Sequence, residues 1–197
     1  MRKKIPHARA AAKDASHERI VSAAARAIRR SGYAGTGVSD IMKAAGLTHG
    51  AFYAHFASRD AMLTEAADRA GAESVVRAHE VVSAAPAKRS LEFLIHSYLS
   101  QDHLKDIECG CPMAALGSEM PRQSPEVRRV ATTRIKEMID LVAREVQSAK
   151  PAEARRQSLV TVATMVGTLI LARAVNDPAL SEELCASALA SLTSAPT

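Results

Sequence analysis

The sequence of 197 residues predicts an all-α protein of about nine helices, in which a three-helix helix-turn-helix domain precedes a larger helical domain. Two short amphipathic segments flank a glycine at position 46, and prolines divide the rest of the chain into stretches with helical periodicity. No segment shows the alternating pattern of a β-strand. The 47% hydrophobic content suffices for a core, and the composition is not that of a collagenous or disordered chain.

The predicted helix-turn-helix lies between residues 32 and 59. Thr36 or Ser39 is placed to cap its first helix, and Gly46 supplies the left-handed conformation that ends this helix. Thr48 is placed to cap the second helix. The apolar side chains that this arrangement turns inward are Val38, Ile41, Met42, Ala45, Leu47, Phe52 and Phe56.

Prolines after residue 59 set the boundaries of the remaining helices, because a proline disfavours the helical conformation in the residue before it. Ser124 precedes Pro125, and Ser181 precedes two glutamates, so both serines are plausible helix starts. Together with the three N-terminal helices, six more patterns make about nine. These patterns span residues 59–85, 88–105, 112–119, 125–149, 151–175 and 180–192.

The positive charge of the chain is concentrated at its N-terminal end. Residues 1–69 hold 12 Lys/Arg and 6 Asp/Glu, which gives +6, whereas residues 70–197 hold 14 and 15, which gives −1. Residues 1–14 are expected to form a basic arm before the first helix, which either binds DNA phosphates or only keeps the protein soluble. The basic side chains of this arm are Arg2, Lys3, Lys4, Arg9 and Lys13.

The sequence predicts neither a secretory signal nor a membrane-spanning helix. No apolar run follows the basic arm, so a secretory signal is not predicted and a cytoplasmic protein is expected. The uncharged stretch over residues 158–172 has 15 residues and includes Ser and Thr. It is shorter than the roughly 20 apolar residues that a spanning helix needs. A buried helix without membrane association is therefore expected.

One set of residues follows the order of a known family: Ile20, Ala23, Ala24, Gly32, Tyr33, Thr36, Val38, Asp40, Ile41, Ala45, Gly46, Leu47, Tyr53, His55, Phe56 and Leu63. The segment from about Ser16 to Ala70 thereby resembles the DNA-binding domain of the tetracycline-repressor (TetR) family. Ile28 stands where the family usually has phenylalanine, which changes core volume. The resemblance implies a DNA-binding transcriptional regulator, usually a repressor. Residues 15–58 would bind DNA, and residues 59–197 would bind a ligand and dimerise.

The resemblance also assigns side chains to a double-stranded DNA operator. Those matched to phosphate contacts are Thr36, Thr48, Tyr53, His55 and Arg59, each of which has a hydrogen-bond donor. Those matched to base edges in the major groove are His49, Gly50, Ala51 and Ala54. In the second group only His49 has a strong hydrogen-bonding side chain, so methyl contacts and DNA shape are expected to contribute to sequence preference.

The helix predicted over residues 151–175 indicates a homodimer. Its run SLVTVATMVGTLILA is apolar on nearly every side, and a small monomer can hardly bury all of them. The alternative is a helix buried completely within one protomer. A dimer would present two recognition helices to the half-sites of a palindromic operator. The expected interface residues are Ala163, Thr164, Gly167, Thr168, Ala172, Leu184, Ala188 and Leu189.

The larger domain contains the candidates for sensing a small-molecule effector. The chain has six aromatic residues and no Trp, so an aromatic cage for planar molecules is disfavoured. The candidate side chains listed below are also typical of an ordinary hydrophobic core, and this alternative stays open. The candidates are Phe93, His96, Tyr98, Met113, Met120, Met138, Thr164 and Met165.

Cys109 and Cys111 are candidates for sensing an electrophile or oxidant. Pro112 suits the first position of a helix, so Cys111 is the expected N-cap, where the positive helix end favours a thiolate. A disulfide between cysteines two residues apart would be strained, and three cysteines in a cytoplasmic chain argue against a structural disulfide. The alternative is that Cys111 fills space in the core.

Other chemistries have weaker support. His103, Cys109 and Cys111 match no strong zinc spacing, so no metal or other cofactor is predicted. A thiol-dependent enzyme would need Cys111 paired with His96 or His103 and a third group. The sequence shows no such ordered set, no nucleotide-binding glycine loop and no G-x-S-x-G turn, so no catalytic residue is assigned. A DNA-binding dimer without an effector is the second alternative.

Overall fold

The computed structural model describes residues 5–86 and 88–194. Within these ranges the chain forms nine α-helices and two short 3-10 helices, without a strand, so the all-α prediction is confirmed. The α-helices are α1 (Ile5–Ser31), α2 (Val38–Ala44), α3 (Arg59–Ala84), α4 (Ser90–Tyr98), α5 (Gln101–Lys105), α6 (Pro112–Leu116), α7 (Pro125–Glu145), α8 (Pro151–Ala174) and α9 (Pro178–Thr193). The 3-10 helices are His49–Ala54 and Met120–Arg122.

The helix-turn-helix has the predicted turn, but its first helix has a different N-cap residue from those predicted. Gly46 has a φ of +70°, the left-handed conformation expected at the end of α2. Helix α2 begins after Gly37, and buried Thr36 donates its hydroxyl to a backbone carbonyl oxygen of the preceding turn, because a buried hydroxyl needs a partner. Thr48 is the N-cap residue of a six-residue 3-10 helix, as predicted, but makes no side-chain cap bond. The cap predicted at Thr36 or Ser39 is wrong, because Gly37 is the N-cap residue of α2.

Helix α1 begins at Ile5, inside the segment expected to be an arm outside the first helix. The run Ala-Arg-Ala-Ala-Ala-Lys over residues 8–13 has high helix propensity, which extends the helix toward the N-terminus. Lys13 is exposed on this helix. Arg2, Lys3 and Lys4 lie outside the described residues, and the side chain of Arg9 is not described either.

Two helix starts in the larger domain differ from the sequence prediction. The helix expected over residues 88–105 is divided into α4 and α5, because the Ser100 hydroxyl accepts a hydrogen bond from the His103 backbone and starts α5. Helix α9 starts at Pro178, because the Asp177 carboxylate caps it. Ser181 lies inside α9 and donates its hydroxyl to the Ala172 carbonyl oxygen at 2.8 Å.

Two other helix starts agree with the sequence prediction. Ser124 caps α7 by accepting from the Val127 backbone N–H, and Cys111 is the N-cap residue of α6. Helix α6 is shorter than predicted and ends at Leu116. Helix α7 also ends early, at Glu145.

Two apolar clusters form the core, and both contain part of α3. The first joins α1, α2, the 3-10 helix His49–Ala54 and the N-terminal half of α3 with Leu116, Val127 and Val130 of the larger domain. The second joins the rest of α3 with α4, α7 and α8. Helix α3 therefore connects the two halves mechanically, and packing crosses the predicted boundary at residue 58.

Helix α8 is the one described helix that is long and apolar enough to cross a membrane by length and composition alone. An 18-residue window of it has a mean hydropathy of 1.4, and 39% of that window is buried in the protomer. A core helix of a soluble protein has the same properties, so this observation is weak evidence for a membrane. Met165 and Leu169 face the core, whereas Val160 and Leu171 are more than half exposed.

Candidate functional site

The segment His49–Ala54 separates its polar and apolar side chains cleanly. Phe52 and Phe56 are buried with their ring centroids 5.6 Å apart, which anchors the segment to α1 and α2. Tyr53 is 74% exposed. His49, Gly50 and Ala54 are exposed, and Ala51 is half-buried. The residues predicted to meet DNA bases thus lie largely on the outer side of the segment.

Three of the side chains matched to phosphate contacts differ in whether their hydrogen-bond donors are available to DNA. Exposed Thr48 is available, whereas Thr36 is buried and its hydroxyl is already bonded within the turn. The Arg59 guanidinium donates to the carbonyl oxygens of Tyr33 and Thr36, so it ties the start of α3 to the turn before α2. Phosphate contacts by Thr36 and Arg59 stay predictions, and a contact by Arg59 requires a nitrogen atom that these bonds do not use.

His55 lies in a cluster between the 3-10 helix and α1. The His17 ring stacks on Phe56 at 4.6 Å between ring centroids, and its centroid lies 5.9 Å from that of His55. The pKa of His55 is lowered by burial first, and then by the nearby charges of His17 and Lys13. His55 is therefore neutral at pH 7, and Lys13 of α1 is close enough to act electrostatically on this surface.

A cavity of about 300 Å³ lies between α3, α6, α7 and α8. Its lining is mostly apolar, and methionines contribute flexible side chains on several sides. Among the predicted effector residues, those that line it are Tyr98, Cys111, Met113, Met120, Met138 and Met165. The tertiary structure therefore brings together residues that the sequence identified as candidates.

Other predicted effector residues lie elsewhere. Helix α4 turns Leu94, Ile95 and Tyr98 inward, so Phe93 and His96 face outward and are exposed. The Arg89 guanidinium lies 5.4 Å from the Phe93 ring centroid. Helical periodicity therefore accounts for the exclusion of Phe93 and His96 from the cavity.

Two further candidates are also absent from this lining. Thr164 of α8 is half-buried but does not line the cavity. Cys109 is exposed and lines a second, more polar cavity of about 430 Å³. The two cavities share Ser74, Tyr98 and Met138, so they are neighbours.

Among the cavity residues that were not predicted from sequence, two carry large polar side chains. Tyr33 comes from the helix-turn-helix half, where it was identified only as part of the family pattern. Its pKa is raised to about 12, by burial first and then by Glu119. Arg134 of α7 lines the cavity while its guanidinium is bonded to Asp68 and Glu137. No local sequence signal marks either residue, because both reach the cavity through long-range packing.

Cys111 is held through its backbone by a hydrogen-bond chain that does not reach its sulfur atom. Its backbone N–H donates to His103 Nε2 at 2.9 Å, so His103 Nδ1 carries the proton that it donates to the Tyr98 carbonyl oxygen at 2.6 Å. Burial lowers the pKa of His103, against the Tyr98 bond, which raises it. His103 thus positions the loop and is not bonded to the sulfur.

The positions of the cysteines and histidines bear on a disulfide, a metal site and a thiol-dependent enzyme. All three cysteines are free thiols, and Cys111 and Cys185 are buried. Within the described ranges no group of three His, Cys, Asp or Glu side chains is placed to hold a metal ion. His96, the other base considered for a thiol enzyme, points away from the cavity that Cys111 lines.

Helix α1 is bonded directly to the loop that carries the cysteines. The buried Arg29 guanidinium donates to the Glu108 carbonyl oxygen at 2.8 Å, to the Ala70 carbonyl oxygen at 2.8 Å and to the Glu73 carboxylate at 2.6 Å. Arg30 pairs with the Glu108 carboxylate at 2.9 Å. A displacement of this loop would therefore act on α1.

Comparison with known proteins gives one consistent result. Residues 20–66 match the family described as bacterial regulatory proteins, tetR family, and residues 87–180 match the LmrA/YxaF-like transcriptional regulator C-terminal domain. The HTH-type transcriptional regulator Rv0196 of Mycobacterium tuberculosis is 31% identical over 169 residues, which cover 81% of this chain and 85% of that protein. LmrA of Bacillus subtilis is 27% identical over 150 residues, covering 75% and 79%.

Solved structures show the same fold. The reduced form of Escherichia coli NemR has a TM-score of 0.76 and 20% identity, covering 90% of this chain and 95% of that one. A TetR regulator from Chloroflexus aurantiacus has a TM-score of 0.76 and 24% identity, covering 92% and 96%. The helix-turn-helix geometry, the family matches and the relatives agree. The chain belongs to the tetR family and is a DNA-binding transcriptional regulator, from a family whose members bind DNA operators, usually form dimers and are generally not enzymes.

Proposed function

We propose that this protein is a cytoplasmic homodimeric repressor that binds a palindromic operator and is released when an effector occupies the cavity of the larger domain. The observation that carries the proposal is the placement of one apolar cavity against the helix-turn-helix half. Tyr33 of that half and Met165 of α8 line the same space. A ligand there would bear on both halves of the molecule at once.

The DNA-binding part of the proposal rests on the exposed side of His49–Ala54. Tyr53 offers a hydroxyl for a phosphate, and His49 offers an imidazole for a base edge. The exposed small residues Gly50 and Ala54 permit close approach to the groove. A 3-10 segment of six residues can lie in a major groove with its first residues toward the bases.

The dimer part rests on the outer side of α8. Val160, Ala163 and Leu171 are exposed there, and Gly167 has open space above its α-carbon. These residues recur at spacings of three and four, so they form one apolar stripe along the helix. Such a stripe suits a two-fold helix–helix contact.

Some of the expected interface residues instead face their own protomer. Thr168 and Ala172 are buried, and Ala188 and Leu189 pack against the second core cluster. The stripe defined above is therefore a better description of the proposed interface. The last helix could contribute through its exposed residue Leu180.

DNA binding is tested by fluorescence anisotropy on a palindromic duplex enriched from a random pool. We expect Tyr53→Phe to weaken binding about three- to tenfold, because one phosphate hydrogen bond is lost. The matched control is Tyr33→Phe, which makes the same chemical change at a buried site and should leave the affinity of the ligand-free protein unchanged. Repression is tested by transcription from a promoter that overlaps the enriched site, where added protein should reduce the transcript. An unchanged Tyr53→Phe affinity would argue against this DNA face.

The effector could also react with a thiol, since Cys111 lines the cavity. Treatment with diamide distinguishes the two routes. Reversible loss of DNA binding in wild type and Cys109→Ser, but not in Cys111→Ser, would support a thiol effector. Binding that is indifferent to diamide in all three proteins would leave a non-covalent ligand as the effector, or a dimer without one.

A further inference from the structure

We infer that the cavity binds a neutral, mainly apolar molecule with two hydrogen-bonding groups, one bound by the Tyr33 hydroxyl and the other by the Tyr98 hydroxyl. The effector would then contact the DNA-binding domain directly through Tyr33. This inference rests on the proposed function and specifies the chemistry of its effector.

Two tyrosine hydroxyls in the cavity wall are buried without a partner. Tyr33 is 2% exposed and Tyr98 is 8% exposed. Neither Oη atom meets the geometry of a hydrogen bond with any described residue, although both side chains line the same cavity. A polar group close to the Tyr98 hydroxyl is the Cys111 thiol, which, after burial, raises the pKa of Tyr98 but is a weak hydrogen-bond partner. An unpaired buried hydroxyl costs stability, and phenylalanine would fill the same volume without that cost. The hydroxyls are therefore placed to bond a molecule that occupies the cavity.

The remaining lining indicates that this molecule is neutral. Arg134 is the one charged side chain among the described lining residues. Its Nε and Nη2 atoms each donate to Asp68 at 2.9 Å, and its Nη1 atom donates to Glu137 at 2.8 Å. Among the lining residues a charged ligand would find no free counter-charge, which is unfavourable. Arg173, whose charge acts on Tyr98 from outside the lining, is bonded through Nε and Nη2 to the carbonyl oxygens of Leu104 and His103. A volume of about 300 Å³ lies at the small end of the range for ligand pockets.

The backbone of Tyr33 connects the cavity to the DNA-binding surface. Its N–H donates to the Glu119 carboxylate at 3.0 Å, and its carbonyl oxygen accepts from Arg59 at the start of α3. It also follows Gly32, whose φ of +73° forms the turn after α1. Because the backbone is held on both sides, a ligand that shifts the Tyr33 ring would shift the turn before α2 and the start of α3.

Tyrosine NMR tests this inference on the full-length protein, because the chain has three tyrosines. The probe is 1,8-octanediol, a flexible neutral chain with an oxygen at each end. In protein carrying ¹³C at the tyrosine ε positions, we expect the Tyr33 and Tyr98 signals to shift along one saturation curve. Tyr53, exposed on the DNA-binding segment, is the internal control and should not shift. The matched compound octanedioate has the same length and two charges, and it should not bind.

Phenylalanine variants test the two hydrogen bonds. Tyr33→Phe and Tyr98→Phe should each weaken diol binding about three- to tenfold, as expected for one neutral hydrogen bond. Both variants should keep or raise the urea midpoint of the ligand-free protein, since each removes an unpaired buried hydroxyl. A lower midpoint in both variants would show that the hydroxyls already have partners and would overturn the inference.

The remaining outcomes are equally decisive. No shift of Tyr33 up to the solubility limit of the diol, equal binding by octanedioate, or wild-type affinity in both variants would each overturn the inference. Wild-type protein that still binds the enriched duplex in such a case would leave the proposed repressor function intact. Failure to bind any duplex would instead remove the proposed function itself.

Discussion

At the residue scale, arginine side chains connect helices of this protein through hydrogen bonds and ion pairs that cross from one element to another. Arg29 is the clearest case, because its side chain is fully buried and it bonds α1, α3 and the loop before α6 at once. Its Nε atom has no partner among the described residues. Burying the Arg29 guanidinium is therefore unfavourable unless all of its other hydrogen bonds are kept.

Replacing Arg29 with methionine keeps most of the apolar stem but removes three bonds. We expect this variant to lose about 2–4 kcal/mol of unfolding free energy, since two carbonyl oxygens and the Glu73 carboxylate lose their donor. Urea denaturation followed by circular dichroism measures the loss. Arg30→Met is the matched control, because its pair with Glu108 is largely exposed and should contribute less than about 1 kcal/mol. Equal losses in the two variants would contradict the argument.

His103 makes stability depend on pH. Burial lowers its folded pKa below the ordinary value of 6.5, so the unfolded chain takes up a proton first as the pH falls. This contribution to stability is complete above about pH 6.5 and is lost as the pH falls toward the folded pKa. His55, whose pKa is also lowered, acts in the same direction.

We therefore expect the urea midpoint to decrease as the pH is lowered from neutral toward 5. His103→Gln should decrease this dependence, because glutamine keeps one donor and one acceptor but does not titrate. The measurement is the midpoint at a series of pH values for both proteins. A His103→Gln profile as steep as that of the wild type would assign the effect to other histidines.

At the element scale, α8 is the helix that has two apolar sides. One side carries Met165 and Leu169 into the core and the cavity wall, and the other carries Val160 and Leu171 into solvent. Exposing large apolar side chains is unfavourable, so the outer side is expected to be covered by a second copy of the chain. Effector binding and dimer packing would then act on adjoining surfaces of one helix, because Ala163 belongs both to the stripe and to the cavity wall.

Val160→Glu should convert the dimer to monomer, because a carboxylate would have to be buried at the helix contact. Sedimentation velocity of the purified protein reports the change. Val76→Glu on α3 is a matched control, since Val76 is 54% exposed and Val160 is 53% exposed. The control should remain dimeric, and a Val160→Glu dimer of wild-type strength would place the interface elsewhere.

At the scale of the whole molecule, the charge is divided between the two halves. The first 69 residues carry +6 and the remainder −1, and Lys13 acts electrostatically on His55 beside the DNA-binding segment. The positively charged N-terminal third therefore attracts a polyanion such as DNA, whereas the remainder, with a net charge of −1, does not. The effect of salt on DNA affinity should therefore change with the position of a removed lysine and not only with the net charge.

Lys13→Ala should reduce the slope of log affinity against log salt by about one, as for the loss of one phosphate contact. Lys136→Ala removes the same charge from an exposed position on α7 and should leave the slope unchanged. Anisotropy titrations over a range of salt concentrations give both slopes. Identical decreases would mean that only net charge matters, and the helical N-terminus would have no specific role.

The sequence by itself determined the properties that depend on neighbours along the chain. Helical periodicity, prolines and the Gly46 turn specify most helix ends to within a few residues, because backbone propensity and steric limits act locally. The exceptions are the start of α1 and the division between α4 and α5. The order of residues around Tyr53 likewise identified the DNA-binding module. The paired burial of Phe52 and Phe56 was expected from their spacing of four, and the Phe56 N–H keeps this spacing beyond the 3-10 helix by donating to the Phe52 carbonyl oxygen at 3.0 Å.

Only the tertiary structure decided which polar groups meet across the chain. Thr36 was placed as a cap by its position, but burial turned its hydroxyl to a carbonyl oxygen of the same turn. Tyr33 and Tyr98 are 65 residues apart in the numbering and share one cavity wall, and Arg59 is occupied by carbonyl oxygens of another element. Such pairings depend on how helices pack, since periodicity defines a helix face but not the neighbour that the face meets.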